Sequence, residues 1–259
     1  MSRQQPYTLV VIAWNAGFFS HVNRVVNHLH HSLAHDGCAA IRVDWRVTEH
    51  TPLFVYGTEG DGELWQRFFE PLEFPDAPAA ERTSYEYADL SMTGLHAYRM
   101  YKRGPRWRAE YGRAFSRHVR VRGELRQRVQ ELWRDGAGRA RHVGVHFRHP
   151  EHSHECPRDI PMLDTFIART RKLLDGQHSA RVVLATDVRE AVEAFDEAFP
   201  GRVLVQGDVA RAPVADTQYS WDVPPGVDLG EQALIDALLL AAAMCCCTPP
   251  ATSPPPSAT

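Results

Sequence analysis

Hydrophobic and polar positions change their period several times along the chain, and each change marks an element. Residues 8–14, "TLVVIAW", form a continuous apolar, β-branched run, the pattern of a strand covered on both faces. After the turn-like "NAGFFS" the period becomes helical. Val22, Val25, Val26, Leu29 and Leu33 fall on one face, and Gly37 marks the stop. "AAIRVDW" at 39–45 reads as a second strand. Strand, helix and strand in that order open an α/β unit.

From 51 to about 108 the pattern is aromatic, proline-containing and turn-rich, with "ELWQRFFEPLEFPD" as its most apolar part. Residues 116–135 predict an amphipathic helix with Val121, Leu125, Val129 and Leu132 on one stripe. "GAGRAR" after it reads as a hinge or linker. A second α/β unit follows: a strand at 142–147, a helix at 162–174, a strand at 180–186, a helix at 188–199, a strand at 202–206 and a helix at 230–243. Such alternation predicts parallel sheets with ligands gathered at the carboxyl ends of the strands. The expected architecture is two Rossmann-like domains facing across a cleft, the first over 1–138 and the second over 139–243.

Composition narrows the classes. The chain has 259 residues, 44% hydrophobic and 24% charged, with a net charge of -3, enough to bury one large core or two modest ones. The overall charge gives no reason to expect nucleic acid. Residues 99–141 depart from it, with fourteen Lys/Arg against four Asp/Glu. Such a stretch is either a solvated helical face or a surface for an anionic partner. Three of the five cysteines are consecutive, Cys245 to Cys247, and Cys38 with Cys156 suggests no disulfide framework, so a reducing compartment, the cytoplasm, is expected. The apolar run at 8–14 reads better as a strand than as a signal segment, and "ALIDALLLAAAMCCC" is too short to span a bilayer.

The densest chemistry lies in 143–157, "VGVHFRHPEHSHECP". His146, His149, His152, His154 and Cys156 could supply a zinc site by count, yet their spacing of three, three, two and two matches no common zinc pattern. A polar loop without a ligand is the second reading. Phosphate binding is the third. His146 and Arg148 stand where a parallel strand ends, and a guanidinium there can make bidentate, charge-assisted bonds to a diphosphate.

Together with "VVLATDVREAVEAFDEAFPGRVLVQGDV" and "GEQALIDALLLAAA", this stretch resembles the donor-binding half of the fucosyltransferase-like family. That family includes α-1,6-fucosyltransferases, the rhizobial nodulation fucosyltransferase and protein O-fucosyltransferases. Its pattern is a strand ending in His-x-Arg, a later strand ending in Ala-Thr-Asp, and a helix with an Asp inside an apolar run. Here these are His146 and Arg148, then Ala185, Thr186 and Asp187, then Asp236. "GFFSHVNRVVNHL", "VDW" and "WQRFFEP" are similar to the acceptor half.

The resemblance implies a GT-B fold, an inverting transferase, a GDP-sugar donor such as GDP-fucose, and no metal or other cofactor. The implied acceptor is a glycan, a lipid-linked sugar or a protein. It also implies that Arg148 holds the β-phosphate and is the catalytic residue. His146 adds a nucleotide contact, Thr186 and Asp187 lie near the nucleotide, and Asp236 accepts from the guanine edge. Two positions depart from the family: Val188 replaces a second Asp, and the loop after Arg148 lacks an acidic-basic pair. Read alone, Asp187 could equally cap the following helix, Asp236 could pair with a core arginine, and His146 could be a core histidine. Glu49, Asp61 and Glu70 are unranked candidates for a general base.

Residues 244–259, "MCCCTPPATSPPPSAT", fit none of this. Moved by one base, their codons force Val-Leu-Leu and permit "DVLLHATSNVATAVGY", similar to the strand and Ser-Asn turn that the family carries next. The expectation is an out-of-frame terminus that leaves the second domain incomplete and the chain weakly active or inactive. Two other functions stay open: zinc binding through 146–156, and non-catalytic polyanion binding through 99–141.

Overall fold

The computed structural model describes residues 5–13, 17–34, 37–48, 56–58, 60–84, 104–136, 141–148, 162–207, 209–212 and 226–245. His149, His152, His154 and Cys156 of the histidine-rich loop, Glu49, and residues 246–259 of the terminal stretch lie outside them. The chain divides into two compact units. One comprises 1–126 and 224–231, the other 127–223 and 232–259.

In the first unit, β1 (Tyr7–Ile12), α1 (Phe18–His31) and β2 (Cys38–Asp44) form the expected strand, helix and strand. The helix begins four residues before Val22, the first of its apolar stripe, and gives way to a 3-10 turn, Ser32–Ala34; Gly37 has φ 74°. A short α2 (Trp65–Phe68) and a third strand, β3 (Glu81–Ser84), follow. The sheet is parallel in the order β2-β1-β3. β3 lies inside the stretch read as turns, because "ERTS" has no alternation and only Ser84 is buried. What holds it is partly a side chain: the buried Arg24 of α1 donates through Nη2 to Ser84 O (2.9 Å) and Ser84 Oγ (2.8 Å).

The predicted helix at 116–135 is in fact two, α3 (Gly104–His118) and α4 (Gly123–Gly136). The break has a clear cause. Residues 119–122 leave the helix to bond another backbone segment: Glu70 N–H donates to Arg120 O (2.8 Å) and Arg122 N–H to Phe68 O (3.0 Å), with Phe69 bridged to Val121. The stripe residues Val121 and Leu125 are both buried, but Val121 lies within that break and Leu125 in the helix after it. Phe18, Trp45, Trp65, Phe68 and Phe69 form the aromatic core of this unit, with Trp65 and Phe69 centroids 4.3 Å apart. Gly230 belongs to the same unit and lies so close that a Cβ there would fall 2.5 Å from Phe68 Cζ.

The second unit is built on β4 (His142–Phe147), β5 (Arg181–Thr186) and β6 (Val203–Leu204), parallel and in that order. α5 (Leu163–Leu174) and α6 (Arg189–Ala198) are the crossovers, and α7 (Val227–Cys245) follows the last strand. β5 is the central strand, and its residues 182–186 are all buried, as a continuous apolar run requires. Phe147, Leu184 and Phe195 anchor the core, each worth about 2–3 kcal/mol of transfer free energy on burial. Gly144 of β4 lets α7 approach: a Cβ there would lie 3.3 Å from Leu240 Cδ2 and 3.6 Å from Ala243 Cβ. No described helix is long and apolar enough to cross a membrane.

Candidate active site

All three strands of the second unit run parallel, so their carboxyl ends share one edge of the sheet. β4 brings His146 and Arg148 to that edge, β5 brings Thr186 and Asp187, and β6 leads into Gln206. Each residue is there for a local reason. Alternation along β4 buries Val145 and Phe147 and leaves His146 exposed. The buried histidine of this strand is instead His142, packed against Trp133 with ring centroids 4.5 Å apart.

Thr186 is buried, and its Oγ1 accepts from Val188 N–H at 3.1 Å, which turns the chain out of β5. The helix after that turn has Val188 at its cap position with no side-chain capping bond. Capping of α6 therefore does not account for Asp187. The backbone here is pinned from one side: Ala212 N–H donates to Asp187 O and Arg189 N–H to Ala212 O, each at 2.8 Å.

Asp236 reaches the same group from α7. Its partner is not a core arginine but Gln206, whose buried Nε2 donates to Asp236 Oδ1 (2.5 Å) and to Gln232 O (3.0 Å). Gln206 Oε1 is buried and accepts nothing among the described residues. Burial pushes the Asp236 carboxyl up to about 6, and the charge of Asp187 adds to this; the Gln206 bond and the Arg211 charge oppose it. Although part of His146 stays open to solvent, the protein around its ring and then the Arg148 charge hold it below the ordinary histidine value, with Asp187 pulling the other way. At neutral pH His146 is an uncharged N–H donor beside a fixed cation. These mutual influences tie His146, Arg148, Asp187 and Asp236 into one electrostatic group.

Arg211 was not singled out by any sequence pattern. Its guanidinium donates to the carbonyls of Gln206 (2.8 Å), Thr186 (3.3 Å), Gly207 (3.4 Å) and Val209 (3.5 Å). One side chain thus ties the ends of β5 and β6 together. Nothing in the residue order could have revealed it, because its partners are main-chain oxygens that every residue carries.

Chemically, the edge offers a cation and a neutral imidazole at one strand end, and carboxylate acceptors at the next strand and on α7. That combination suits an anionic diphosphate joined to a group rich in N–H donors. Among the described residues, no three His, Cys, Asp or Glu side chains gather as a metal ion would require. Of the candidate bases, Asp61 is held below the usual carboxylate range by the Thr58 backbone and hydroxyl bonds. Glu70 lies 3.8 Å from Arg126. A carboxylate with the opposite tendency is Glu63, raised by burial although three backbone N–H groups, of Trp45, Trp65 and Gln66, donate to it.

By sequence, the chain matches no protein-family model and no curated protein. By structure it is similar to NodZ α-1,6-fucosyltransferase co-crystallised with GDP, with TM-score 0.59 and 18% identity over 92% of this chain and 86% of that one. Fucosyltransferase NodZ from Bradyrhizobium gives TM-score 0.57 and 18% identity over 92% and 87%. NodZ soaked with GDP-fucose gives TM-score 0.55 and 16% identity over 92% and 86%. The shared property is the α/β fold.

Proposed function

We propose that the chain is a glycosyltransferase of the fucosyltransferase-like, GT-B type that uses a GDP-sugar, GDP-fucose, as donor. The observation that carries this is the gathering of Arg148, His146, Asp187 and Asp236 at the strand ends of the second unit. The likeness of fold to a fucosyltransferase crystallised with GDP supports it. Arg148 holds the β-phosphate, and His146 donates its N–H to the nucleotide. Thr186 shapes the turn that presents Asp187, and Asp236 accepts from the guanine edge through the oxygen that Gln206 does not occupy.

The reaction breaks the bond between the sugar anomeric carbon and the β-phosphate oxygen. An acceptor hydroxyl forms the new bond from the opposite face, with inversion, and its proton passes to a base. Charge accumulates on the departing diphosphate as that bond lengthens. A fixed guanidinium there stabilises the transition state more than the ground state. No metal is required for this step, since the cation is supplied by the chain.

Residues 1–138 serve as the acceptor-side domain and 139–243 as the donor domain, working in the cytoplasm; the acceptor is a glycan, a lipid-linked sugar or a protein. The codon pattern of 244–259 supports an out-of-frame terminus and a weakly active chain. Nucleotides read from the codon of Leu240 onward would show an open shifted frame, and a frame that closes at once removes the idea. The decisive experiment for function is thermal denaturation with GDP. GDP should raise the melting temperature, a chelator should leave that rise intact, and Arg148→Ala should abolish it. A GDP response that survives Arg148→Ala refutes the assignment.

A further inference from the structure

The first unit carries a surface that the donor site does not use. On α3, at 3.6 residues per turn, Ala109, Gly112 and Ser116 share the middle of the solvent face. Arg108 flanks them on one side, with Arg113 and Arg117 on the other. All six are exposed. The three arginines make no ion pair among the described residues, whereas Arg122 is bonded to Glu124 and Arg126 lies 3.8 Å from Glu70. The one acid of this helix, Glu110, is half-buried and turned towards His30, 3.9 Å away.

The result is a trough floored by small residues and edged by guanidiniums, about 14 Å long at 1.5 Å per residue. Gly112 deepens it. Glycine inside a helix costs about 1 kcal/mol relative to alanine, and a Cβ at Gly112 would meet nothing within 4 Å. No neighbour among the described residues therefore requires this glycine, and its effect is to leave the space above it free of them.

We propose that this face binds an acidic glycan, and that the glycan is the acceptor chain of the transferase; the second half of this rests on the function proposed above. Charge complementarity selects an anion, and guanidiniums on both edges suit carboxylates taken in bidentate fashion. The floor has no large apolar side chain to enter a lipid surface. Among the described residues it has no aromatic ring on which bases of a single-stranded nucleic acid could stack: Tyr111 is buried and Phe115 half-buried. A flat, extended polyanion fits what remains.

The test is titration of the whole protein with an oligogalacturonate, with its reduced, uncharged counterpart of equal length, and with single-stranded DNA of equal charge. GDP binding is followed separately. The carboxylated glycan should bind with an affinity that falls as salt rises, and the neutral one should bind at least tenfold more weakly. The double variant Arg113→Gln, Arg117→Gln and the single variant Ser116→Glu should each weaken glycan binding tenfold or more while GDP binding is unchanged. Equal binding of the neutral glycan, tighter binding of DNA, or undiminished binding in both variants overturns the proposal. Glycan binding without any GDP binding supports the surface and refutes the transferase reading.

Discussion

Asp236 is the residue whose replacement best separates what the fold wants from what the site wants. Its carboxyl sits inside the protein, with an amide of Gln206 as its direct partner, and is pushed from near 3.8 up to about 6. That difference corresponds to about 3 kcal/mol between protonated and ionised forms, and partial access of solvent reduces it to roughly 2 kcal/mol. The sign follows from the raised value. Asp236 contributes stability while protonated, below about pH 4, and that contribution is lost as pH rises through about 6. At pH 8 the second unit holds an ionised carboxylate at a cost. Asp236→Asn removes the charge and keeps an oxygen for Gln206 to donate to. The variant should be more stable than the parent by roughly 1–2 kcal/mol at pH 8 and level with it at pH 4. The same change should weaken GDP binding about tenfold or more, because a charged acceptor for N–H groups is lost. Urea denaturation of both proteins at pH 4, 6 and 8, with GDP titrations at pH 8, decides the matter. A variant less stable at pH 8, or an advantage that persists unchanged at pH 4, refutes the reasoning.

Two further outcomes are expected, both in the first unit. Burial, then the charges of Arg24 and His31, lower His28 to about 4, so its neutral form stabilises the fold above pH 6.5 and that stability is lost as pH falls towards 4, up to about 3 kcal/mol. His28→Gln should flatten the acid limb of a denaturation series between pH 7 and 4, and an unchanged limb would exclude His28 as its source. Gly230→Ala should lower the melting temperature: the 2.5 Å approach to Phe68 makes it an overpacking change of about 1–3 kcal/mol, which outweighs about 1 kcal/mol of helix propensity. A rise would mean that the ring gives way freely.

Period was legible wherever an element is held by its own apolar pattern. β4 lies over 142–147 as its sequence predicts, and β5 differs only by one residue at its start. β3 escaped notice because its place is set by pairing with β1 and by Arg24, and neither leaves a local mark. The continuous helix expected at 116–135 has the right stripe, but backbone bonds from 68–70 outcompete it at 119–122. It was the resemblance to a family, not period or spacing, that singled out His146, Arg148, Thr186, Asp187 and Asp236, and all five lie in the second unit. Gln206 and Arg211 stayed hidden, since a side chain that orients another or ties carbonyls together has no spacing of its own.

The order of strands in the first unit also sets an order in time. β1 pairs with β2 across a short connection, Thr8 to Ala40, but with β3 across a much longer one, Thr8 to Glu81. Closing the longer loop, 73 residues against 32, costs about 0.7 kcal/mol more chain entropy. β3 has little buried apolar surface to set against that. β1, α1 and β2 can therefore assemble before β3 arrives, and a nascent chain exposes one edge of β1 until Ser84 reaches Arg24. On this ordering the last strand to dock in the unit is expected to be its most polar one.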